Sequence, residues 1–121
     1  MKLTDRQKIF TRDVALLIAY AYRIGLEIVI KEALRTKEQQ EIYVKQGKSQ
    51  THNSMHLNSL AVDFIIIDPA GRPLWEREHY RPLAEFWESL HRSNRAGFFW
   101  VERDADALDD PYHFEHNSTI R

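Results

Sequence analysis

The residues best suited to chemistry lie in two short stretches, "SMHLNSLAVDF" at 54–64 and "DDPYHFEH" at 109–116. The first carries His56 and Asp63; the second carries Asp110, His113, Glu115 and His116. Asp63 lies between Val62 and Phe64 in an apolar run, where a lone carboxylate is costly unless it is paired or binds a metal. Strand alternation puts Leu60, Val62 and Phe64 on one face and Ala61, Asp63 and Ile65 on the other, so Asp63 can equally point to solvent. His56 falls in a polar loop and, by itself, reads as a solvated imidazole. Asp110 and His113 flank Pro111, which fixes its own φ and restricts Asp110. By itself that segment reads as an edge strand with polar groups outward.

Taken together, two histidines and one aspartate make a tetrahedral zinc site with a fourth position left for water. Such an open site points to chemistry, because the metal lowers the pKa of bound water to about 7. Asp110, close to His113 in sequence, is placed to take the proton. Arg35, where a strand meets a helix, can supply a fixed positive donor to an oxyanion or a substrate carboxylate. It can equally pair with Glu32 or Glu38 at the surface. Glu115, beside a ligand candidate, suits a partner that orients a histidine better than a ligand. His52, His79, His91 and His116 read as surface residues, with His52 and His116 as reserve ligands. The chain has no cysteine, so disulfides and thiolate sites are excluded and any metal must sit on His, Asp or Glu.

These side chains need a frame. The 121 residues suit one domain over 1–121, and 43% hydrophobic residues is an ordinary globular fraction. A net charge of −1 with mixed signs lacks the basic footprint of a nucleic-acid binder. "TDRQKIFTRDVALLIAYAYRIG" predicts a helix, with Thr4 and Gln7 as a capping box and Gly25 as its stop. "LEIVIKEAL" predicts a strand, and "TKEQQEIYVKQG" a second helix capped by Thr36 and Gln39 and ended by Gly47. A polar loop leads into "LAVDFIII", the clearest strand, and "DPAGRP" is a turn. "RPLAEFWESLHRSNRAG" predicts a third helix with Leu83, Phe86, Trp87 and Leu90 on one face. "FFWVE" and "YHFEH" read as short strands around the acidic loop "RDADALDD". This order gives an α+β fold, helices packed on a small, mostly antiparallel sheet. No signal peptide is read at the N-terminus, and the longest apolar run, "FIII", is too short to span a bilayer.

The spacing resembles a known family. "S-x-H-x-x-G-x-A-x-D" is the hallmark of zinc peptidases that include D-alanyl-D-alanine carboxypeptidases and phage L-alanyl-D-glutamate endopeptidases. Ser54, His56, Ala61 and Asp63 match it in register. Asp110, His113, Phe114 and Glu115 are similar to the second motif, an acidic residue, two residues and then a histidine. "RTKEQQEIYVKQGKS" resembles the upstream stretch through Arg35, Thr36, Gln40, Tyr43 and Gly47. Serine stands at position 59 where the motif has glycine, and Trp100, Val101 and Glu102 stand where phage members often read W-G-G-D-W.

The resemblance implies the carboxypeptidase-type zinc fold. It implies that His56, Asp63 and His113 bind Zn2+, that Asp110 is the catalytic base and that Arg35 contacts substrate. Ser54 and Gln40 are expected to support the site. The implied substrate is the peptidoglycan stem peptide. The reading favoured is an L-alanyl-D-glutamate endopeptidase acting as a phage-type endolysin, a monomer held in the cytoplasm until its release to the wall. The alternatives are a D-alanyl-D-alanine carboxypeptidase, or a non-catalytic wall-binding or phage structural protein on the same fold.

Overall fold

The computed structural model describes residues 2–33, 37–47 and 60–117. Helix α1 spans Leu3–Arg23, strand β1 Glu27–Glu32, helix α2 Lys37–Lys45 and strand β2 Ala61–Ile67. A 3-10 turn at Arg77–Tyr80 leads into α3, Arg81–Leu90; strand β3 is Asn94–Ala96. A second 3-10 turn, Gly97–Phe99, runs into the short α4, Trp100–Arg103, and β4 is His113–His116. The strands form one sheet in the order β1-β2-β4-β3, antiparallel at every pairing.

The alternation in β2 builds the core. Leu60, Val62, Phe64 and Ile66 are buried with Phe10 and Leu17 of α1 and Leu83 and Trp87 of α3. Phe114 of β4 meets the Trp87 ring edge-on at 6.0 Å, and the Trp87 indole N–H donates to the Glu115 carbonyl at 3.0 Å. Burying each such large apolar side chain contributes about 2–3 kcal/mol, so the two helices are held to one sheet face mainly by area removed from water. Gly25 ends α1 at φ +86°, a backbone region that favours glycine. Among the described residues no helix is long and apolar enough to cross a membrane.

Four expectations need correction. The Thr4–Gln7 capping box does not form: α1 begins at Leu3 with Lys2 at the cap position and no side-chain cap bond, so Thr4 already has helical backbone. The third helix stops at Leu90 rather than running to Gly97. Its apolar stripe ends there, and the Asn94 amide turns back to donate to the Trp87 carbonyl at 3.1 Å while its backbone pairs with His116 in the sheet. "FFWVE" is not a strand but the 3-10 turn and α4. Phe98 is fully buried while Phe99 and Trp100 are each half-buried, so two-residue alternation is absent and tertiary packing overrides strand propensity. The fourth concerns His116, described with the site. Thr36 of the other capping box lies outside the described residues.

Candidate active site

The face of β2 and β4 turned away from α1 and α3 carries the site, with the Trp100 ring of α4 5.1 Å from that of His113. In the β2–β4 ladder Asp63 stands opposite His113 and Ala61 opposite Glu115, so Asp63, His113 and Glu115 share one face. His113 is 5% exposed. Its Nδ1 lies 3.0 Å from Asp63 Oδ1 and its Nε2 lies 2.6 Å from Glu115 Oε1. Asp110 reaches the same point from the loop before β4: one ligand atom each from Asp63, Asp110 and His113 lie within 4.8 Å of one another.

Charge explains what this arrangement wants. Burial would lower the His113 pKa, but the hydrogen bonds and charges of Asp63 and Glu115 outweigh it and hold the imidazole well above its ordinary value. Burial would raise Glu115; His113, the Asn117 amide and the Arg95 charge outweigh that and lower it. Asn117 Nδ2 donates to Glu115 Oε2 at 3.0 Å, and Arg95 stands opposite Glu115 in the β3–β4 ladder. A ring nitrogen and two carboxylates converging at one point call for a cation, and they are the donor types that a divalent metal such as zinc accepts. With Nδ1 turned to Asp63 and Nε2 to Glu115, His113 can offer Nδ1 to a metal while Nε2–H donates to Glu115. This fixes tautomer and ring orientation.

Of the sequence candidates, then, Asp63, Asp110, His113 and Glu115 come together. Arg35, Ser54, His56, Ser59, His52 and the Gln40 side chain lie outside the described residues. His116 is corrected. It is neither a surface residue nor a reserve ligand, being 2% exposed on the opposite face of β4, with Nδ1 3.1 Å from Asn94 Oδ1. The odd spacing from His113 sends its ring toward the helices. His79 is exposed, and His91 is half-buried with its ring 4.9 Å from that of His116. Arg95 and Asn117 were missed as partners of Glu115. The alternation that pairs Glu115 with His113 also carries Asn117 to that face and could have identified it.

No family model matches the chain. Over 65 residues it is 42% identical to the L-alanyl-D-glutamate peptidase of Listeria phage A118, covering 54% of this chain and 22% of that one. Over 110 residues it is 29% identical to the peptidoglycan L-alanyl-D-glutamate endopeptidase CwlK of Bacillus subtilis strain 168, covering 80% of this chain and 65% of that one. The chain thus spans less than two thirds of either curated relative. The crystal structure of the Serratia marcescens L-Ala D-Glu endopeptidase ChiX superposes with a TM-score of 0.71 at 28% identity, over 89% of this chain and 77% of that one. The zinc(II) complex of the D,D-pentapeptidase VanY shares the fold, with a TM-score of 0.58 at 19% identity over 88% of this chain and 70% of that one. By sequence the chain is similar to L-alanyl-D-glutamate endopeptidases, and it shares its fold with one of them and with a zinc(II)-bound D,D-pentapeptidase.

Proposed function

We propose that this chain is a zinc-dependent peptidoglycan peptidase that cuts the L-alanyl–D-glutamate bond of the stem peptide. The observation that carries the reading is the convergence of Asp63, Asp110 and His113 at one point, with Glu115 on the far nitrogen of His113. The choice of bond is supported by two curated relatives and a solved structure that carry this activity in their names. In this reading Asp63 and His113 hold the zinc together with His56. When bound there, zinc would supply Lewis-acid chemistry, polarisation of a carbonyl and a lowered pKa for water.

The chain's own groups do the rest. Asp110, held beside His113, accepts the proton of the attacking water and returns a proton to the leaving amine. Glu115, its pKa lowered against burial by His113, Asn117 and Arg95, holds the His113 ring with Nδ1 toward the centre. Arg35 supplies the positive donor to the carbonyl oxygen or to a substrate carboxylate, and Ser54 and Gln40 support the site. The site of action is the cell wall, with the protein held in the cytoplasm before release.

The test is metal analysis joined to a muropeptide digest. Asp110→Asn should keep one zinc per chain and lose about 10²–10⁴-fold in kcat, the usual contribution of a general base. Mass spectrometry should find stem peptides cleaved after L-alanine. Release of terminal D-alanine alone would instead favour a carboxypeptidase. Wild-type turnover by the Asn variant, or its loss of zinc, would remove Asp110 from the role of base.

A further inference from the structure

Asp110 belongs to neither α4 nor β4, so the ladder that aligns Asp63 with His113 does not position it. Three contacts do. A Cβ on Gly97 would stand 2.1 Å from the Asp110 carbonyl oxygen and 3.1 Å from His113 Cβ. The same carbonyl accepts the His113 backbone N–H at 3.3 Å. The third contact is Arg77, which bridges the neighbours of these residues. Its Nη2 donates to the Phe98 carbonyl, its Nε donates to Asp109 Oδ1 at 3.4 Å, and its guanidinium lies 4.0 Å from the Phe98 ring centroid. Arg81 lies over the same ring at 4.7 Å, but its donors go to Glu78 and Glu102.

We propose that Gly97 and Arg77 are the mount of Asp110, and so are positioning residues for the reaction proposed above, on which this inference rests. Gly97 lets the chain before β4 approach to a distance that no side chain allows; the obstructing atom is backbone and cannot swing aside. Arg77 then ties Asp109, beside the base, to Phe98, beside Gly97. Asp109 is exposed, and an exposed ion pair contributes little to stability. What this pair fixes is direction, and a catalytic group displaced by about 1 Å can cost about 100-fold in rate.

The experiment uses the full chain, zinc-loaded, on purified muropeptides, with amide hydrogen exchange at His113 measured separately on the metal-free protein. Arg77→Ala and Asp109→Ala should each lower kcat about tenfold, leave KM within about twofold and keep one zinc. The double variant should be no slower than either single one, since both cut the same tether. Arg77→Lys, with no fork to reach two partners, should stay slow. Gly97→Ala should lose about 100-fold. Exchange of the His113 amide should quicken in Arg77→Ala. Unchanged kcat together with unchanged exchange would overturn the mount, as would losses that simply add in the double variant. Quickened exchange in a protein whose wild type cleaves no muropeptide would uphold the mount and overturn the peptidase reading.

Discussion

Strand β4 carries two buried histidines whose pKa values are shifted in opposite directions. His113 and His116 are 5% and 2% exposed, so desolvation opposes the charged form of both. His113 nevertheless has its pKa raised, because Asp63 and Glu115 each meet a ring nitrogen. His116 meets the neutral Asn94 amide oxygen instead. Burial and the neighbouring His91, Arg6 and Arg95 push its pKa down to about 4, with Asp13 pulling the other way. Two residues of one type, on one strand, are set apart by a carboxylate against an amide. The first face is arranged to hold a cation. The second refuses even a proton and serves as a neutral link, through Asn94, to the buried Asp13 of α1 at 3.0 Å.

The largest effect expected from this contrast is on acid stability. Between pH 6.5 and about 4 the unfolded His116 imidazole holds a proton that the folded one refuses, so the folded state loses ground as pH falls through that window. The contribution is fully present above 6.5 and gone below about 4. Its upper size is about 3 kcal/mol, at roughly 1.4 kcal/mol per pKa unit. Urea unfolding at a series of pH values should show this slope, and His116→Asn should flatten it. An equally steep slope in that variant would mean the acid sensitivity comes from elsewhere.

A smaller effect tests the other face. Glu115→Gln keeps shape and a hydrogen bond but removes the charge that holds the His113 ring. Zinc affinity, measured by competition with a chelator, should fall about 10–100-fold, the usual cost of losing such a partner. No change would mean that Glu115 does not tune the metal-binding nitrogen. Because a metal that binds only the folded state stabilises it by mass action, the zinc-dependent rise in Tm should shrink in parallel.

The sequence discloses the first face far better than the second. Asp63 is legible as a polar break in an apolar strand and His113 through its motif with Asp110 and Glu115, and antiparallel pairing of the two strands brings them together. The ladder does place them opposite each other. His116 was misread because nothing local distinguishes it; its environment is made by Asn94 and by Asp13, 81 residues from Asn94. The end of α3 was misread for the same reason, since Asn94 is drawn out of helix by its bond to Trp87 and its pairing with β4. "FFWVE" has the composition of a strand, but Gly97 and Phe98 are committed to the Asp110 segment and to Arg77. Those are contacts between distant residues, which period and propensity do not encode.

The smallest effect sharpens the second face. His91 accepts the Ser93 N–H on Nδ1 at 3.0 Å, and it is among the groups that lower the His116 pKa. His91→Asn retains an acceptor for that N–H and removes an imidazole from beside His116. At pH 7 its stability should lie within about 0.5 kcal/mol of wild type, as for substitutions that break no buried network. Near pH 5 the variant should gain on wild type, because His116 then accepts its proton in the folded state at a higher pH and the acid loss begins later. Paired urea titrations at the two pH values read this difference directly. Identical curves at pH 5 would show that desolvation and the arginines alone keep His116 neutral, leaving His91 a packing partner with no electrostatic part in the contrast.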